Sequence, residues 1–86
     1  MLPHEQPRIT STLVGDDRVT AVNVQLWLGG WTFEATGSAK THPNDYPNSE
    51  VGEALAFSRA FRDLSRQLRD FGYDLDRMIN SGGTAR

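Results

Sequence analysis

An α+β domain with a three-stranded antiparallel sheet, one long helix on one face and a short C-terminal helix is what these 86 residues predict. Two patterns carry that expectation. Residues 8–40 alternate apolar and polar with period two, as strands do. Residues 49–71 carry Phe57, Phe61, Leu64, Leu68 and Phe71 at steps of four, three, four and three, as one stripe of a helix does.

The sharpest local signal is VNVQLWLGGWTFEATG, residues 22–37. Gly29-Gly30 between two alternating runs is a two-residue hairpin, because primed turns need positive φ; both glycines are expected to hold it. That turn sets Leu28 opposite Trp31, Leu26 opposite Phe33, Val24 opposite Ala35 and Val22 opposite Gly37, all on one face. The preceding hairpin turns at GDDR, residues 15–18. With Val14 opposite Val19, Ile9 and Leu13 join the apolar face and Thr10, Thr12 and Val14 take the other. Residues 40–48, KTHPNDYPN, read as a loop punctuated by two prolines. Ser49 is a natural N-cap, with Glu50 and Glu53 in the first turn, where carboxylates suit the helix dipole. Gly72 is the expected stop. A short helix from Asp74 to Asn80 should follow, packing Leu75, Met78 and Ile79 downward. Residues 1–7 and 81–86 read as flexible tails around one domain spanning 8–80.

A domain this small buries a modest core. Without cysteine it has no disulfide or thiolate site to reinforce it, so oligomerisation is the expected supplement. No apolar run reaches the roughly 20 residues of a membrane span, and MLPHEQPR has no signal-peptide core. The expectation is a cytoplasmic protein with no membrane association. Nine basic against eleven acidic side chains, a net charge of −2, speak against a dedicated nucleic-acid binder.

Two surfaces stand out. Arg59, Arg62, Arg66 and Arg69 share one side of the helix, away from the apolar stripe. They would grip phosphate in one reading. In the favoured one they are a solvated face, with Arg59 paired to Asp63 and Arg66 to Asp70 and charge running from acidic to basic along the dipole. Arg59 is the candidate exception, as a clamp on the loop carrying Asp45. The outer sheet face is the second surface. Thr12, Val14, Ala21, Asn23, Gln25, Trp27, Thr32 and Thr36 form a strip with few charges, which marks an interface core. The same strip also reads as a lone Trp on threonine methyls, or as a base-stacking platform short of aromatics and cations.

Chemistry is sparse. His42 and Asp45, with His4, match no closed metal set, and the Pro-Asn-Asp context is turn chemistry. Nucleophile elbow, phosphate loop and His-Glu-x-x-His are all missing. Glu50 and Glu53 oppose an anion site at the helix start near Gly52. The expectation is no enzyme, no cofactor and no small-molecule substrate.

GSAKTHPNDYPNSEVGEALAFSRAF, residues 37–61, resembles an actinobacterial domain-of-unknown-function family with a double-stranded-RNA-binding-like fold. The family pattern falls on Gly37, Ala39, Pro43, Asp45, Pro47, Glu50, Val51, Gly52, Glu53, Leu55, Ala56, Arg59 and Ala60. The resemblance implies a β-β-β-α order. Through a dormancy-induced member similar in structure to ribosome hibernation factors, it also implies a dimer and a ribosome or RNA association in stress. It leaves host and phage origin open. From the residues themselves, the leading expectation is a small regulatory or interaction module: a homodimer through its sheet, with a further protein partner not identified. The ribosome- or RNA-associated stress protein is the alternative.

Overall fold

The computed structural model describes residues 6–16, 18–40 and 49–83. Strands β1 (Arg8–Gly15), β2 (Val19–Leu28) and β3 (Trp31–Lys40) precede one helix, α1 (Ser49–Gly83). The sheet is antiparallel with order β1-β2-β3. The expected loop at 41–48 and the tails at 1–5 and 84–86 lie outside the described residues.

The β2–β3 hairpin has the register that the glycine pair dictates: Leu28 faces Trp31, Val24 faces Ala35 and Val22 faces Gly37. One detail differs. Gly29 alone has positive φ, at 61°. Positive φ at the first central position only is the type II′ pattern, which asks nothing special of Gly30. The β1–β2 hairpin is shifted by two residues, with Val14 opposite Ala21 rather than Val19. Asp16 makes the turn tighter. Its Oδ1 accepts from the amides of Arg18 (2.8 Å) and Val19 (2.9 Å), and its own amide donates to the Val19 carbonyl at 2.9 Å. Those backbone bonds, from Val19 foremost, hold the Asp16 carboxyl below its ordinary value. A two-residue shift keeps side-chain parity, so Ile9 and Leu13 still share the face of Val22 and Val24.

The helix departs from expectation twice. It does not stop at Gly72 but continues unbroken to Gly83, absorbing the expected short helix. A Cβ at Gly72 would meet nothing within 4 Å, so no backbone reversal requires glycine there. The longer helix also has no basic residue in its last turn, so the expected acidic-to-basic gradient does not reach its end. Secondly, the buried stripe is rotated. Ala56, Ala60 and Leu64 are buried, Phe57 and Leu68 are half-buried, and Phe61 is 44% exposed. Close approach is the cause. A Cβ on Gly37 would collide with the Ala56 carbonyl oxygen and the Ala60 amide nitrogen, and would lie 3.1 Å from the Ala60 Cα. A Cβ on Gly52 would lie 2.8 Å from Thr20 Oγ1. Small residues on both surfaces let backbone meet backbone, and the large side chains are turned to the flanks.

At the hairpin end the approach widens and aromatics fill it. Phe71 packs on Trp31 and Phe33, with ring centroids 5.1 Å apart in both pairs. The core is therefore Val22, Val24, Ala35, Ala39, Ala56, Ala60 and Leu64. α1 lies mainly on β3 and less on β2, leaving β1 largely uncovered. Strands sit about 4.8 Å apart and a helix is about 10 Å across, so one helix roofs two strands and not three.

Gly37→Ala should destabilise the fold by about 2 kcal/mol or more, as overpacking against rigid backbone does. Gly29→Ala should cost about 1 kcal/mol through its left-handed φ, and Gly30→Ala no more than about 0.5 kcal/mol. Urea denaturation of the three variants measures the order; equal losses at Gly29 and Gly30 would contradict the turn type.

Candidate functional site

The helix arginines are held by the fold in different ways. Arg59 Nη1 donates to the Ser38 carbonyl at 2.6 Å, a bond across to β3. The expected Arg59–Asp63 pair is replaced by this contact. Asp45 lies outside the described residues, and with it the expected clamp on its loop; the described Arg59 contact is to the strand that leads into that loop. Arg66 pairs with Asp63 at 2.6 Å rather than with Asp70. Asp70 is taken by Arg69 at 3.3 Å. Gln67 Nε2 donates to the Glu34 carbonyl at 2.8 Å and to Asp63 Oδ2 at 3.0 Å. The Arg66 hydrogen bond first, then that of Gln67, holds the Asp63 carboxyl below its ordinary value. Arg62 has no partner among the described residues.

Arg59 and Gln67 thus give two carbonyls of the edge strand β3 a partner from the helix. An edge strand with unpaired backbone groups is a template for pairing with another chain, and α1 covers this one with polar side chains. Sequence periodicity missed Gln67 altogether. Its signal was its place eight residues after Arg59, a little over two turns along and about 80° round the helix toward the small-residue face.

On the outer sheet face, the strip expected from the sequence is assembled as expected. Thr12, Val14, Ala21, Asn23, Gln25, Trp27, Thr32 and Thr36 alternate with the core-facing positions. Its polarity is satisfied internally. Asn23 Nδ2 donates to Glu34 Oε2 at 2.8 Å, and Gln25 Nε2 reaches the same oxygen at 3.4 Å. Trp27 is half-buried, with the Arg8 guanidinium 4.6 Å from its ring centroid, a cation–π contact. Gln6, Arg8, Trp27 and Gly29 line a shallow depression there.

The face that carries α1 has apolar surface left over. On β1, Ile9 is 49% and Leu13 43% exposed. Across from them lies the flank of α1 with Phe57, Phe61 and Leu68, where Phe57 and Phe61 stack at 6.1 Å. Along α1 beyond Phe71, Met78 is 69% and Ile79 66% exposed, with Leu75 half-buried. The chain has a radius of gyration of 17.8 Å and a long dimension of 62 Å, against about 12 Å radius for a compact domain of this length.

Among the described residues no three metal-ligating side chains cluster, and no helix is long and apolar enough to cross a membrane. His4, His42 and Asp45 lie outside the described residues.

A model of the Rv2632c-like family matches residues 6–74. Among solved structures, the one titled "Crystal Structure of Rv2632c" is similar to this chain, with a TM-score of 0.70 and 25% identity. The match covers 99% of this chain and 96% of that one. No curated protein matches significantly.

Changing both Arg62 and Arg69 to Gln should alter stability by no more than about 0.5 kcal/mol per site. Arg59→Ala should cost about 1 kcal/mol or more, because it removes a charge-assisted bond between helix and sheet. Thermal denaturation at low and moderate salt separates the two classes.

Proposed function

The chain belongs to the Rv2632c-like family, and from that premise we propose that it is a non-enzymatic regulatory or interaction module working as a homodimer. The observation that carries this reading is the apolar surface left on the helix-bearing face. Ile9, Leu13 and Phe61 are each more than two-fifths exposed, beside a core whose largest fully buried side chains, among the described residues, are Val22 and Val24. A core this small leaves stability marginal, and covering the remaining apolar surface supplies what the single chain lacks. The outer face around Trp27 is the weaker candidate for the seam. Its Trp already has Arg8 against it, and its amides already bond to Glu34.

A ribosome- or RNA-associated role through the arginine stripe has less support. Arg59, Arg66 and Arg69 are engaged within the chain, and the net charge is −2. Phosphate binding would have to displace those contacts, apart from Arg62.

Light scattering of the purified chain at tens of micromolar should give twice the 9.6 kDa chain mass. A mass of one chain would overturn the homodimer. Nuclease-sensitive, salt-sensitive retention on ribosomes, lost with Arg62 and Arg69 both changed to Gln, would favour the RNA reading instead.

A further inference from the structure

The two edges of the sheet are finished differently. The edge of β3 is dressed by α1, whose Arg59 and Gln67 donate to the Ser38 and Glu34 carbonyls. Among the described residues β1 has one strand neighbour, β2, and every residue along it is exposed. Charge, proline and bulges are the devices that keep an edge from pairing with another strand. Past Arg8, β1 carries no charge and no proline, and its pairing with β2 runs without a bulge. We propose that the open edge of β1 is the seam of the homodimer: it pairs antiparallel with β1 of a second copy of this chain, about a two-fold axis through Ser11. The proposal rests on the homodimer reading above and names its seam.

Hydrogen-bond phase decides which residues reach the edge. In an antiparallel ladder, successive residues turn their N–H and C=O to opposite sides of the strand. The Asp16 amide donates to the Val19 carbonyl. The pairs in phase with it, Val14 with Ala21, Thr12 with Asn23 and Thr10 with Gln25, therefore exchange their bonds inside the chain. The other hairpin agrees. Its two-residue turn closes on a bonded pair, Leu28 with Trp31, which turns Val22 and Val24 to β3 and leaves Ala21, Asn23 and Gln25 to β1. Ile9, Ser11 and Leu13 thus point their N–H and C=O into the open edge.

Symmetry and side-chain chemistry fix the register. A strand paired antiparallel with its own copy has its two-fold axis normal to the sheet, so both helices lie on the same face. Centred on Ser11, the ladder sets Ile9 opposite the second copy's Leu13, Ser11 opposite Ser11 and Leu13 opposite Ile9. All three are bonded pairs, with Cα atoms about 5.5 Å apart. Thr10 and Thr12 stand opposite each other on the outer face. Apolar meets apolar and hydroxyl meets hydroxyl, the cross-strand pairs that stabilise a sheet. A ladder centred on Thr12 would set Ile9 against Gly15, and one centred on Thr10 would set Leu13 against Pro7, beyond the strand.

The joined sheet has the order β3-β2-β1-β1-β2-β3. Its outer edges are the two β3 strands, each dressed by Arg59 and Gln67. The interface is isologous, and growth stops at two copies.

The test uses the full chain, which has no cysteine of its own. Ser11→Lys and Ser11→Asp should each halve the mass by light scattering, because like charges then stand directly opposite at the axis. Both should retain the wild-type circular dichroism, since Ser11 is exposed in the single chain. Mixing the two variants in equal amounts should restore the double mass. Thr10→Cys with Thr12→Cys should give disulfide-linked dimers under mild oxidation, because that non-bonded pair brings Cα atoms to about 4.5 Å. Thr10→Cys with Val14→Cys, the pair that a ladder centred on Thr12 would join, should give few. If the charge variants lose their helical signal, the cysteine pairs decide alone. A dimer that survives both charge variants and forms no link between positions 10 and 12 overturns the edge pairing but keeps the homodimer. Loss of the dimer with no rescue on mixing overturns the axis at Ser11. A wild-type chain of single mass overturns the homodimer and the pairing with it.

Discussion

Backbone contact between Gly37 and the Ala56–Ala60 turn of α1 governs the rest of this molecule. Side chains normally hold a helix about 10 Å above a sheet, as they hold stacked sheets apart. Here a missing Cβ on the strand and two methyl groups on the helix let the two backbones touch. That contact sets the depth of the helix and its rotation about its own axis. The rotation aims Arg59 and Gln67 at the carbonyls of β3 and turns Phe57, Phe61 and Leu68 toward β1. One close approach thereby protects one sheet edge and leaves the strand at the other bare on its inner side.

The motif spanning residues 37–61 takes its physical sense from the same contact. Gly37, Ala39, Gly52, Ala56 and Ala60 are positions where strand, helix start and helix body meet at short range, and Arg59 bonds the strand beside them. Small residues at these points are a packing requirement, since any larger side chain would push α1 off the sheet. In this member of the Rv2632c-like family, the motif is thus legible as a way of seating one helix on the sheet. Among its described polar residues, Arg59 bonds across to the Ser38 carbonyl of β3, and that contact is structural.

The two sheet faces have different chemistry for related reasons. The outer face has no helix over it, and its amides, its one carboxylate and its tryptophan find partners within the face. The inner face is dry under α1 and apolar where α1 does not reach. Width decides this: a three-stranded sheet is broader than one helix, so apolar residues on the third strand need cover from elsewhere. The helix, running well past the hairpin end, has the converse problem along its arm.

Strands, hairpin turn and inner-face membership were determined by the sequence alone, because period-two alternation and a glycine pair act between near neighbours. Even the misplaced first hairpin kept every side chain on its expected face, since its error was two residues and the pleat repeats every two. The helix start was legible in the same local way. Its end was not, because a glycine inside a helix costs only about 1 kcal/mol against alanine and does not by itself stop one. Which helix residues are buried was decided only in three dimensions. The apolar stripe from Phe57 to Phe71 is the pattern that hydrophobicity alone selects, but the Gly37 contact favours Ala56 and Ala60 at the centre, a preference visible only once strand and helix are laid together. The arginine contacts were settled at that level too. Local spacing offered Arg59 and Arg66 a carboxylate four residues along the helix, but the seating of α1 brought the Ser38 carbonyl within reach of Arg59.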